Sequence, residues 1–130
     1  MANLDIFNHI LLVSTGAVFG VNARFIIYQK LKEININEYF IILAINTFSC
    51  FILGLFISIL PKIKSLTFSS QLALFFLIGF LGSLSTFSTF VYHLFDLCLK
   101  FKFFTALKIF SFSFSLGIFA LALGSYLGNK

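Results

Sequence analysis

Apolar residues fill four long segments of this chain, and polar residues gather in the short stretches between them. The segments run from about Ile10 to Tyr28, Tyr39 to Leu60, Gln71 to Leu99 and Phe103 to Leu127. Each approaches or exceeds the ~20 residues that a helix needs to cross a bilayer. Because helices are the only open-chain way to satisfy backbone polar groups in lipid, the pattern predicts one all-α membrane domain over residues 1–130, with four transmembrane helices.

Composition excludes a soluble enzyme. Hydrophobic residues make up 60% of the chain and charged residues 10%, whereas a soluble domain is ~25% charged. Four crossings nearly consume the 130 residues and leave no room for a separate catalytic domain. The net charge of +5 is scattered rather than clustered in a basic patch. We therefore predict contact with anionic membrane lipid and no binding of nucleic acid.

The distribution of cations bears on topology. An even number of crossings places both termini on one side of the membrane, and the cations divide three against six between the two sides. This weak bias permits insertion in both orientations. The side of the termini carries Lys62, Lys64 and Lys130, and the other side carries Arg24, Lys30, Lys32, Lys100, Lys102 and Lys108.

The centre of the third segment is unusually polar for membrane depth. Gly79–Phe90 reads GFLGSLSTFSTF and combines two glycines with five hydroxyl residues. Glycine favours departure from the helix, and Ser or Thr side chains can satisfy the backbone groups that are freed. Irregular backbone at this depth is tolerated only where it is buried or lines a cavity. The motif therefore predicts a third helix that is broken at mid-membrane beside a functional site.

The polar residues inside the membrane favour passive conduction of an ion. No Asp or Glu lies deep in any segment, which argues against proton-coupled transport. Asn46 has two possible roles. It can form a hydrogen bond to another helix, which is the commoner role, or its amide can donate to an anion. Phe87 and Phe90 share a helix face. Their ring edges carry partial positive charge and can attract an anion without the tight hold of a fixed cation.

Several other polar and small residues could have a structural role or a functional one. Arg24 is either an anchor at the interface or a cation that draws anions into a vestibule. His93 and Asp96 are three residues apart and are expected to pair. Gly16 and Gly124 begin small-xxx-small motifs suited to close helix contact. We expect one of three serines in the fourth segment to face a pore; these are Ser111, Ser113 and Ser115.

These residues together resemble the CrcB/Fluc family of fluoride channels. Gly79–Phe90 resembles the family signature GFxGGxTTFSTF, with Ser83 and Ser85 as departures from it. Further departures are His93, Ile42 and Ser49, where relatives often have Glu, Thr and Gly. The resemblance covers all four segments in order. Its weaker motifs are Gly16-xxx-Gly20-xxx-Arg24, Asn46 followed by Gly54, and Ser113-xxx-Gly117.

The resemblance implies an antiparallel, dual-topology homodimer in the plasma or inner membrane, with two pores for passive export of toxic fluoride. It also implies a structural sodium ion at the dimer centre, held by the main-chain carbonyls of Gly82 and Ser85. Arg24 would lie at a vestibule. The implied pore residues are Asn46, Thr86, Phe87, Phe90 and Ser113.

Two other functions compete with this prediction. A small four-helix multidrug exporter would need a deep carboxylate, and the first segment has none. A non-transporting membrane subunit would use the hydroxyl-rich motif for packing alone.

Overall fold

The structure, a computed structural model, describes residues 2–63 and 66–130, and every regular element in these ranges is helical. Four spans of the described chain are long and apolar enough to cross a membrane, which confirms the predicted all-α architecture. Lys64, one of the cations predicted on the side of the termini, lies outside the described residues. The elements are α1 (Ala2–Glu33), α2 (Glu38–Ile59), a 3₁₀ turn (Leu60–Lys62), α3 (Leu66–Leu72), a π-helix (Ala73–Leu81), α4 (Gly82–Leu84), α5 (Phe87–Leu99) and α6 (Phe103–Asn129).

An asparagine cap begins α2, and a proline follows its end. Asn35 has a φ of 58°, a left-handed conformation that asparagine adopts more readily than most residues, and it turns the chain between α1 and α2. Asn37 caps α2, because its side-chain oxygen accepts a hydrogen bond of 3.1 Å from the Tyr39 amide. At the other end, Pro61 stands in the 3₁₀ turn and cannot supply the amide that would continue the helix.

The helix type changes along the third span. The α3 helix passes into nine residues of π-helix, and the single turn of α4 ends at Leu84. Ser85 and Thr86 then have extended backbone, with ψ angles of 152° and 112°, before α5 begins at Phe87. Ser85 stays tied to the preceding turn, because its amide and its hydroxyl both donate to the Leu81 carbonyl at 3.1 Å. Extended backbone therefore falls within the hydroxyl-rich motif.

Glycines allow close helix approach at two contacts. Gly54 on α2 and Gly124 on α6 lie against each other's helices, where an added methyl group would overlap the carbonyl oxygens of Leu121 and Phe51 respectively. Gly16 on α1 meets the backbone of the π-helix in the same way. Close approach of this kind is how small residues support helix association in membranes. The predicted packing roles of Gly16 and Gly124 are confirmed.

A small core fixes α2 against the third span. Ile41 and Ile45 of α2 pack with Leu81 and Leu84, and Ile41 is completely buried. Because Ile45 precedes Asn46 and Leu84 precedes the extended residues, this packing brings the Asn46 amide next to Thr86.

Large apolar side chains cover the outside of the molecule. Phe7, Phe19, Phe104 and Phe119 are between 60% and 83% exposed. A soluble monomer rarely exposes apolar surface on this scale. The surface and the four spans are those of a multi-pass membrane protein.

Candidate functional site

The Asn46 side chain is bound to the backbone of Thr86. Its Nδ2 donates to the Thr86 carbonyl oxygen at 3.2 Å, and the Thr86 amide donates to its Oδ1 at 2.9 Å. The two hydrogen bonds join residues 40 positions apart and satisfy the backbone of an extended residue. Asn46 therefore contacts another span, as its structural reading predicts. One of its two amide hydrogens is not needed for this pair and remains available as a donor.

The start of α5 is organised by Thr86. Its hydroxyl accepts a hydrogen bond of 3.4 Å from the Thr89 amide, as expected of an N-cap, and lies 3.0 Å from the Thr89 hydroxyl. In a continuous helix, the amides of Thr86 and Thr89 would donate to the carbonyls of Gly82 and Ser85. Here these amides donate to side-chain oxygens instead. The carbonyls of Gly82 and Ser85 thus lose their usual helical donors.

A groove of about 560 Å³ runs between α2, the start of α5 and α6. It brings together all five residues predicted for the pore, and Ser85 also borders it. The remaining lining is almost entirely apolar, and none of the lining residues is Asp or Glu. The groove therefore combines an amide, hydroxyls and aromatic rings without fixed negative charge. The predicted residues in its wall are Asn46, Thr86, Phe87, Phe90 and Ser113.

The two predicted phenylalanines differ in their surroundings. Phe90 is partly buried and faces Phe110 of α6, with the ring centroids 6.5 Å apart and the planes at 25°. Phe110 in turn stacks on Phe114 at 6.1 Å. Phe87, at the first position of α5, is 76% exposed on the open side of the groove. The rings of Phe90, Phe110 and Phe114 form one aromatic wall along α6.

One serine of α6 faces the groove. Ser113 is partly buried and lies in the groove wall, whereas Ser111 and Ser115 are exposed and are not among its lining residues. Of the three serines, Ser113 is therefore the one that contributes a hydroxyl to the groove.

Arg24 lines a second cavity, of about 270 Å³, between α1, α2 and α5. Thr86 belongs to the walls of both this cavity and the groove, so it lies between Arg24 and the phenylalanines. Thr89 and Ile42 also line the Arg24 cavity. Arg24 therefore lies apart from the groove, but its cavity reaches the same hydroxyl residue.

His93 and Asp96 do not pair, and this expectation was wrong. Asp96 accepts a hydrogen bond of 2.6 Å from Lys100, one turn further along the helix and beyond its last residue. That contact raises the pKa of the Lys100 ammonium. His93 instead points towards α2, where its Nε2 lies 3.7 Å from a carboxylate oxygen of Glu38. Spacing along one helix could not reveal a partner on another.

Thr47 lines the groove although the sequence pattern does not single it out. It follows Asn46 on α2 and lies in the groove wall. Its hydroxyl oxygen is buried and has no hydrogen-bond partner among the described residues. The sequence feature that could have indicated Thr47 is its position next to Asn46, the only side-chain amide between Tyr39 and Leu60. Ser49, by contrast, satisfies itself by donating to the Ile45 carbonyl at 2.8 Å.

Comparison with known proteins identifies the family. The family model described as CrcB-like protein, Camphor Resistance (CrcB), matches residues 11–125. The chain is 55% identical over 121 residues to "Fluoride-specific ion channel FluC 2" of Prochlorococcus marinus (strain NATL2A), covering 93% of this chain and 98% of the relative. It is 34% identical to "Fluoride-specific ion channel FluC" of Acidobacterium capsulatum, covering 91% and 94%.

The relative from Histophilus somni (strain 2336), also named "Fluoride-specific ion channel FluC", is 31% identical and covers 95% of this chain and 96% of its own length. These relatives are named as ion channels and not as enzymes. The match of the family model over nearly all of the four spans, together with near full-length relatives, shows that this chain belongs to the CrcB family.

Proposed function

We propose that the chain is a fluoride channel that lets cytoplasmic fluoride leave the cell passively and so relieves its toxicity. The observation that carries the proposal is the groove in which Asn46, hydroxyl groups and phenylalanine rings meet without a carboxylate. The relatives' names supply the ion. They favour this function over a multidrug exporter or a non-transporting subunit. The groove wall also lacks the carboxylate that proton-driven export needs.

Fluoride is small and strongly hydrated, so a conducting path must replace its water ligands. The free Nδ2 hydrogen of Asn46 is one donor, and the hydroxyl of Ser113 is another. In the hydroxyl pair of Thr86 and Thr89, one hydrogen forms the mutual bond and the other remains available. The ring edges of the phenylalanines add partial positive charge. Neutral donors of this kind bind the ion weakly enough to release it.

The proposed path connects the two cavities. Arg24, a permanent cation, draws anions into its cavity as a vestibule. Thr86, which lines both spaces, passes the ion towards Asn46 and the phenylalanines. The positive charge therefore acts at the entrance, and the narrow part of the path carries only neutral groups.

Extended backbone within the third span supports the proposed break at mid-membrane and a structural sodium site. The span runs from Phe68 to Leu99, and Ser85 and Thr86 lie near its middle. The carbonyls of Gly82 and Ser85, freed from their helical donors, are the hard oxygen ligands that Na⁺ accepts. The ion would supply positive charge that ties two subunits together. Fluoride efflux that is unchanged when Na⁺ is replaced by a large organic cation throughout purification would contradict this role.

An antiparallel homodimer would close the groove. Phe87 is largely exposed at the open side, so a second subunit would cover it and complete the path. The weak bias of cations permits both orientations in the membrane. A Lys130→Cys variant tests this arrangement with a membrane-impermeant maleimide on intact cells. We expect about half of the protein to be labelled from outside and all of it after permeabilisation, relative to the unsubstituted protein. Labelling from one side only would contradict dual topology.

Purified protein in liposomes tests the proposed function. With valinomycin present so that potassium can follow, liposomes loaded with potassium fluoride should release fluoride much faster than liposomes without protein, as followed with a fluoride electrode. The same preparation loaded with chloride serves as the control, and we expect little release from it. Fluoride release at the rate of protein-free liposomes would refute the proposal.

A further inference from the structure

His93 is a buried titratable residue that the proposed path does not use. It lies on α5 one helical turn after Phe90 and is only 9% exposed. A small cavity joins it to Phe90 and Ile42. The imidazole therefore shares a cavity with the phenylalanine that lines the groove, and its own ring contacts are with Tyr39 of α2 and Tyr92 of α5.

The imidazole belongs to a chain of titratable groups on three helices, α5, α2 and α1. Its Nε2 lies 3.7 Å from Oε2 of Glu38, and the other oxygen of Glu38 lies 2.8 Å from Nζ of Lys32. On the α6 side, the residue that lines the cavity is the apolar Ile109. The titratable or charged groups that face His93, directly or through Glu38, are Glu38 and Tyr39 of α2, Tyr92 of α5, and Lys32 and Tyr28 of α1.

We propose that Lys32, Glu38 and His93 form a proton-binding site that controls the entry of the anion at the Phe90 end of the path. While His93 is neutral, the charges of Lys32 and Glu38 sum to zero. When His93 takes up a proton, the site gains one positive charge. Histidine is the side chain that ordinarily changes charge between about pH 5 and 8. The inference rests on the proposed function, since it concerns the rate of the same flux.

The added charge raises the local concentration of anions, as positive charge beside a low-dielectric wall does generally. Lys32 and Glu38 are partly exposed, with 54% and 39% of their side-chain surface accessible, so solvent screens the effect. We therefore expect a modest increase in flux, roughly threefold, as the pH falls from 8 to 6. The site acts on entry and leaves the choice of ion to the groove.

The test is fluoride efflux from liposomes loaded with potassium fluoride, with valinomycin present, at pH 8 and pH 6 and with the same pH on both sides. Protein-free liposomes at each pH measure the leak of hydrogen fluoride, which is subtracted. Each variant is compared with its own rate at pH 8. The wild-type rate should rise about threefold at pH 6. In His93→Gln and His93→Phe the ratio of the two rates should be close to one; the phenylalanine variant keeps a ring beside Tyr39.

The matched control is His9→Gln, which removes the other histidine of the chain, an exposed residue of α1. It should keep the wild-type ratio. A pH-independent wild-type rate, or an undiminished rise in either His93 variant, would overturn the proton-binding site. Since efflux at pH 8 is measured in the same experiment, failure of the channel function itself would be seen separately as no efflux at either pH.

Discussion

Replacing Asn46 with alanine should reduce fluoride efflux by about tenfold or more, because it removes a donor from the path and disturbs the backbone beside it. The side chain holds both the amide and the carbonyl of Thr86. Without it these two backbone groups lose their partners, at a cost of about 1–3 kcal/mol for each group that stays buried. We expect the thermal stability of the purified protein to fall as well.

The matched control is Asn22→Ala. Asn22 also lies within a membrane span, but its amide donates at 2.7 Å to the Val18 carbonyl of its own helix. Its loss should leave efflux close to the wild-type rate. If Asn46→Ala conducts fluoride within twofold of wild type, Asn46 has only a packing role and the assignment of the path is wrong.

Phe87→Ile and Phe90→Ile should each reduce efflux by about tenfold, which corresponds to roughly 1.4 kcal/mol at the barrier. Isoleucine keeps an apolar side chain at the groove but has no ring edge with partial positive charge. The Phe90 change also removes the stack on Phe110, so its effect on stability should exceed that at the exposed Phe87. Efflux and the oligomeric state on size-exclusion chromatography are measured for each variant.

Phe95→Ile is the control on the same helix. Phe95 is 58% exposed and does not line the groove. This variant should conduct like the wild type, and all three variants should elute at the wild-type position. Equal losses at Phe87, Phe90 and Phe95 would show a general effect on the helix. Unchanged efflux at both groove positions would refute the role of the rings.

The sequence predicts the helical spans of this protein, but it does not predict the polar contacts between residues on different spans. Four helices long enough to cross a membrane follow from apolar length alone, and the hydroxyl-rich motif contains the two residues with extended backbone, Ser85 and Thr86. The sequence could not show that Asn46 binds the backbone of Thr86, because 40 residues separate them and only the packing of Ile45 beside Leu84 brings them together.

The orientation of helix faces was also beyond sequence reasoning. Ser111, Ser113 and Ser115 are equivalent by composition, and the packing of α6 on α2 through Gly124 determines that Ser113 faces the groove. His93 was expected to pair along its own helix. Asp96 forms its ion pair with Lys100 instead. The loop between α1 and α2 places Glu38 next to His93. Both outcomes depend on contacts between spans.

Fluoride is proposed to move through this protein passively and without a co-transported ion. Purified protein is reconstituted into liposomes loaded with potassium fluoride, and external fluoride is recorded before and after valinomycin is added. A passive channel moves net charge, so we predict little efflux until valinomycin lets potassium follow, and then rapid release. Release with valinomycin that is no faster than from protein-free liposomes, or equally rapid release before it is added, would contradict the account.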